Sequence, residues 1–223
     1  METDIVSTPK RIAVLQGSSQ KGKNSVLYEA CRKAAESRGS TVVNFGIFAE
    51  EDAAYSYPEI AVMISLLLSS GSADFAVTGC SSGQGMALAC NCLPGVLCGY
   101  IQNPQDAFLF GRINGGNAAS FSLGLNYGWL GELNLQYSME KLFDGDFGMG
   151  YPPESAERKS RDARTVKQFN NIAKKPLTEV LEQLDAPLIR KALSRRNVIQ
   201  FVLENSRDQA LTAWIEQQQS SMM

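Results

Sequence analysis

Histidine is missing altogether from this chain of 223 residues. That absence removes a Ser-His-Asp or Cys-His nucleophilic site, and histidine-ligated zinc, from within the chain. Acid–base chemistry has to run on Cys, Asp, Glu, Lys, Tyr, an activated hydroxyl or water. Long hydrophobic runs are missing too, since none approaches the roughly 18 apolar residues that span a bilayer. The start, Met1-Glu2-Thr3-Asp4, has neither the basic nor the apolar region of a secretory signal, so a cytoplasmic location without membrane partners is expected. A basic excess is also lacking. The net charge of −2 argues against nucleic acid as the partner. The five cysteines are few and odd in number, which speaks against a disulfide framework.

Apolar residues make up 44% and charged residues 20%, and the length is enough for a full core. Short apolar runs at 11–15 (RIAVL), 41–45 (TVVNF), 75–78 (FAVT), 96–101 and 119–123 read as buried strands. Between them, residues 26–35, 58–68, 86–92, 104–110 and 132–143 carry helical patterns. Gly39 closes the first of these and Pro58 sits in the opening turn of the second. This alternation predicts an α/β fold, a three-layer sandwich with a five-stranded, Rossmann-like parallel sheet. Ligands bind beyond the carboxyl ends of such strands, and the polar, glycine-rich segments after strands one, three and five fall there.

After a Gly- and Pro-rich loop at 144–154 the character changes. Residues 156–174, 177–184, 187–205 and 208–218 read as amphipathic helices without strands. We therefore expect an α/β domain over residues 1–150 and a C-terminal helical extension over 151–223.

The sharpest chemical signal is Thr78-Gly79-Cys80-Ser81-Ser82-Gly83-Gln84-Gly85. A strand ends near a cysteine, and a glycine-bearing loop opens a helix. Unpaired amides converge at such a helix start and can hold an anion or a developing enediolate oxygen. The same helix end favours a Cys80 thiolate, which could take a proton alpha to a carbonyl. The competing reading is an inert core thiol beside a simple turn. Gly83-Gln84-Gly85 lacks the third glycine of the dinucleotide fingerprint.

Taken with Tyr57-Pro58, the lead-in Gly71-Ser72-Ala73-Asp74, Asn91 with Pro94-Gly95, and Asn114-Gly115-Gly116-Asn117, this segment resembles the type B ribose-5-phosphate isomerases and the related galactose-6-phosphate isomerases. The resemblance runs over about residues 11–145. It implies aldose–ketose isomerisation of a phosphorylated sugar through a cis-enediolate, with no metal or organic cofactor. Cys80 would move the proton and Ser82 would relay the hydroxyl proton. The loop amides of Ser81, Gly83 and Gly85 would hold the enediolate, together with Asn114. Tyr57 would line the substrate, with Ser18 and Ser19 where the family has Asp-His. The resemblance also implies a homodimer or homotetramer with the active site at the subunit interface. The ring-opening histidine is replaced by Ile113. The phosphate-gripping arginines lack a clean counterpart, Arg158 and Arg161 being the candidates. These departures leave two readings, an isomerase of an open-chain sugar phosphate or a non-catalytic sugar-phosphate binding protein.

Other clusters read as bland. Asn114 and Asn117 also suit left-handed turns, and Arg158 and Arg161 also suit a solvated helix face. Cys90 and Cys92 lie two apart on a helix and should face apart, which disfavours a metal site with Cys98. Glu50, Glu51 and Asp52 read as a solvated acidic loop. Tyr127 and Trp129 read as packing or interface residues.

Overall fold

The structure, a computed structural model, describes residues 9–221; the acidic start lies outside them. Five strands form one parallel sheet: β1 (Arg11–Leu15), β2 (Thr41–Gly46), β3 (Phe75–Cys80), β4 (Cys98–Ile101) and β5 (Ala118–Ser122), in the order β2-β1-β3-β5-β4. Successive strand residues point to opposite faces, so two cores form. Ile12, Val14, Phe75, Val77 and Phe121 pack beneath α1 (Asn24–Glu36), α4 (Pro104–Leu109) and α5 (Gly131–Leu142). Ala13, Leu15 and Ala76 face the other way, toward α2 (Tyr57–Ser69) and α3 (Gln84–Cys92). The expected three-layer α/β sandwich is the fold observed.

Helix α2 opens with Glu59 accepting hydrogen bonds from the Ser56 backbone N–H and hydroxyl, with Pro58 in its first turn. Ile60 through Leu68 are all buried. A helix apolar all round needs cover on its outer side as well. That cover comes from the C-terminal helices α7 (Leu177–Gln183), α8 (Ala186–Leu193), α9 (Arg196–Asn205) and α10 (Gln209–Ser221), whose Leu181, Ile189, Val198, Val202 and Ile215 join the α2 core. Helix α6 (Ala156–Ala173) differs. It buries only Ala163 and leaves Phe169 and Ile172 exposed at 62% and 82%.

Three local readings change. Strand β3 runs on to Cys80, because Gly79 and Cys80 stay in register with Phe121 and Ser122. A Cβ at Gly79 would stand 2.5 Å from the Phe121 carbonyl oxygen, so only glycine permits that pairing. The segment 187–205 is two helices, broken at Arg195 (φ −76°, ψ 82°). Its guanidinium is held by the Phe45 carbonyl at the end of β2 (Nε–O 3.1 Å) and by Glu51 (2.8 Å). Glu51 is accordingly not a merely solvated acid. Its salt bridge with Arg195 is mostly hidden from solvent, and the guanidinium holds the carboxyl below its usual pKa.

Candidate active site

In the sheet order, β1 has β2 on one side and β3 on the other, so winding reverses between β1 and β3. A crevice opens at the carboxyl ends of strands at such a reversal. Here the turns after β1 and β3 are tied together by the Gly17 N–H donating to the Gly79 carbonyl at 3.0 Å. A Cβ on Gly17 would lie 3.8 Å from Cys80 Cβ, so the glycine keeps this space beside the cysteine clear. Cys80 is half-buried, one side against the α2–α3 core and the rest accessible.

The loop leaving Cys80 is held mainly through its backbone. The Ser81 carbonyl accepts from the N–H groups of Gly124 (3.0 Å) and Leu125 (2.7 Å) and from the Ser122 hydroxyl (3.1 Å). The Ser81 hydroxyl accepts from Gln20 Nε2 at 2.9 Å and donates to Ser19 Oγ at 3.3 Å, linking the loops after β1 and β3. Gly83 caps α3 in the left-handed region (φ 74°), and its carbonyl accepts from the Ser120 hydroxyl at 2.7 Å. A Cβ there would meet Tyr100 at 2.7 Å and the Phe121 carbonyl carbon at 2.8 Å, so the turn requires glycine twice over. The Ser82 hydroxyl accepts from the Gln84 N–H at 3.4 Å. The first amides of α3, which have no partner within the helix, follow directly on Cys80 and Ser82. Tyr57, 46% exposed, lays its ring 3.7 Å from where a Gly85 side chain would begin. Ser18 clamps the segment before α2. Its hydroxyl accepts from the Tyr55 N–H at 2.6 Å and its own N–H donates to the Tyr55 carbonyl.

Ser18, Ser19, Tyr57, Cys80, Ser81, Ser82, Gly83 and Gly85 thus come together at the carboxyl edge. Asn114, Arg158 and Arg161 do not join them within one chain. Asn114 ends a single π-helical turn (Phe110–Asn114) that leads into β5, placing it at the amino edge of the sheet. There it shares a cleft of about 300 Å³ with Ile113, Arg158 and Asp162. Arg158 pairs with Asp162 at 3.0 Å and Arg161 with Glu157 at 2.6 Å, both exposed pairs one helical turn apart that stabilise little.

Sequence reasoning missed the buried amides beneath the site. Asn24 Nδ2 donates to Gln16 Oε1 (2.8 Å), and Gln16 Nε2 donates to the Ile47 carbonyl (2.8 Å), so the carboxyl end of β1 is fixed from below. The available signal was a glutamine closing an apolar run. It also missed Gln20 and Ser122, whose roles depend on loops distant in sequence. Among the thiols, Cys90 is fully buried and Cys92 exposed, so they do face apart. A hydrogen bond with the Cys98 thiol, and then burial, push the Cys90 thiol well up. Among the described residues no group of three or more Cys, Asp or Glu is placed to hold a metal, nor is any helix long and apolar enough to cross a membrane.

The profile of the ribose/galactose isomerase family matches residues 17–131, which carry all of the carboxyl-edge cluster. The chain belongs to that family. By family it is a sugar isomerase of the type B ribose-5-phosphate isomerase kind. Two solved structures are alike over nearly their whole length. One is a 4-deoxy-L-threo-5-hexosulose-uronate ketol-isomerase complexed with a tartrate. The other is a ribose-5-phosphate isomerase from Vibrio parahaemolyticus. Each is 35% identical, covers 93% of this chain and 98% of its own, and superposes with a TM-score of 0.88. The type B ribose-5-phosphate isomerase of Trypanosoma cruzi, at 18% identity and TM-score 0.60, covers 74% of this chain and 99% of its own, so it shares the fold.

Proposed function

We propose that the protein interconverts an aldose and a ketose of a phosphorylated sugar through a cis-enediolate, with Cys80 as the base. The observation that carries this reading is the position of Cys80, half-exposed at the winding reversal and immediately ahead of a glycine-opened helix start. The Cys80 thiolate takes the proton from C2 and returns it to C1. The Ser82 hydroxyl relays a proton between the two sugar oxygens. The amides of Ser81 to Gly85 bear the negative charge that develops on them. Tyr57 covers one side of the sugar, and Ser18 and Ser19 shape the floor. The open-chain form is the substrate, because no histidine is present to open a ring.

Asn114, Arg158 and Arg161 enter this reading from a second copy of the chain, since one chain holds them at the other edge of its own sheet. The exposed Phe169 and Ile172 of α6, together with Trp129 at 95% exposure, supply apolar surface for such a dimer or tetramer. A cytoplasmic location accords with metabolic sugar chemistry. The α/β body (1–150) and the helical extension (151–223) then serve as the catalytic part and its buttress.

One observation favours a second reading of the substrate's anionic end. The tartrate-bound neighbour is named for a uronate, a carboxylate sugar, and it is as similar to this chain as the neighbour named for a sugar phosphate. The deciding experiment offers open-chain pentose and hexose phosphates and hexosulose uronates to the enzyme in deuterated solvent and follows label at C2. Uptake with a phosphate supports the first reading and uptake with the uronate alone supports the second. Binding of either without uptake leaves a non-catalytic binding protein.

A further inference from the structure

A cavity of about 850 Å³ lies far from Cys80. It lies under the opposite, amino edge of the sheet, roofed by α6 and by the turn between α9 and α10. Lys10 and Arg11 open it from the start of β1, Lys167 reaches it from α6, and Arg207 reaches it from the turn. Among the described residues, Asp74 is the single carboxylate on its wall. In a chain of net charge −2, four cations against one acid is a marked local reversal.

The pairing makes the imbalance larger than the count suggests. One carboxylate oxygen of Asp74 is already occupied by the backbone N–H groups of Arg11 (2.8 Å) and Lys10 (3.1 Å). Among the described residues, the Arg11 guanidinium donates only to neutral acceptors, Asn205 Oδ1 and the Gly71 carbonyl, each at 3.0 Å. Among the described residues, none of the four cations forms a salt bridge. Lys167 is half-buried, and desolvation pulls its pKa down, as expected of an ammonium removed from water without a counter-ion. An unpaired, partly desolvated lysine lowers stability until an anion arrives. Gly39 on the wall has nothing within 4 Å of where a Cβ would stand, so the space beside it stays open. The volume suits a molecule of nucleotide size or smaller.

We propose that this amino-edge cavity is a second anion site, which binds a small, multiply charged phosphate compound. The argument is independent of the isomerase reading. The site joins the sheet to α6 and to the C-terminal helices, so its occupancy tightens the fit of the extension on the body. Lys167 supplies the main direct contact, Lys10 a second, and Arg11 and Arg207 the surrounding field.

Thermal unfolding and calorimetric titration with inorganic pyrophosphate and with adenosine diphosphate test this on the full chain. Wild type should be stabilised by one or both, less so as salt rises. Lys167→Ala should unfold no earlier than wild type without ligand, since it removes an unpaired charge, yet bind about tenfold or more weakly, the loss of one charge-assisted contact. Lys10→Ala should weaken binding less. Arg158→Ala should leave the response intact, separating this site from the cleft at Asn114. Absence of stabilisation in wild type, an unchanged response in Lys167→Ala, or a response lost in Arg158→Ala would each overturn the proposal. Response to adenosine diphosphate alone would restrict the ligand to nucleotides. Response to both would assign it to the phosphates.

Discussion

The two edges of the sheet are lined with opposite materials. At the carboxyl edge, the groups around Cys80 are short: Ser18, Ser19, Ser81, Ser82, Gly83 and Gly85, held by backbone hydrogen bonds from neighbouring loops. At the amino edge, the functional material is long and charged: Arg158, Lys167, Lys10 and Arg207 along cavities of about 300 and 850 Å³. Backbone amides fixed in place suit charge that appears only in a transition state, because they need no rearrangement as it forms. Flexible cations suit a whole anion that comes and goes. On the two proposals made above, one edge does the chemistry and the other recognises charge.

The largest expected break in that contrast is Cys80→Ala, which should lower C2 proton exchange about a thousandfold while the folded state survives. Single-turnover deuterium exchange with a bound substrate reads it. If the amino edge of a partner completes the site, mixing inactive Cys80→Ala and Arg158→Ala subunits should restore activity to about a quarter of wild type. Statistical dimers then carry one intact site in four. Failure to recover any activity after subunit exchange would rule out a contribution of Arg158 from the partner subunit.

Next in size is Gly83→Ala. A left-handed φ of 74°, with contacts of 2.7 and 2.8 Å awaiting the new methyl, should cost about 3 kcal/mol and displace the amides of the loop. Chemical denaturation and exchange kinetics should both register it, whereas Lys167→Ala at the other edge should move stability little. Comparable is Arg195→Ala, which strands Glu51 and the Phe45 carbonyl at a cost of about 3 kcal/mol. The pH dependence sharpens this. Arg195 lowers the folded-state pKa of Glu51, so the stabilisation is present above the ordinary carboxylate pKa and is lost as pH falls through the lower folded value. The stability gap between wild type and Glu51→Gln, measured by urea denaturation, should be constant near neutrality and shrink below about pH 4. The smallest effect is Tyr57→Ala. Its ring is half in water, so stability should hold while substrate binding weakens by about 1 kcal/mol, seen in KM.

Much of this was legible in order along the chain. The five strands and their intervening helices follow from apolar runs and helical spacing, and both are local properties. The carboxyl-edge cluster was legible because its members sit in three short segments that topology must bring to one edge. The break at Arg195 was not, because it depends on a carbonyl and a carboxylate some 150 residues away. The pairing of Glu51 was hidden for the same reason. Exposure of an acid cannot be read from acidity alone.

Residue types and their spacing determined the layered fold, the lack of histidine chemistry, and a cysteine followed by a glycine-opened helix. The tertiary structure alone decided that Asn114 and Arg158 stand at the far edge from Cys80, and that four cations converge on one cavity. A parallel strand carries its two ends to opposite sides of the molecule, and only the strand order says which loops then become neighbours.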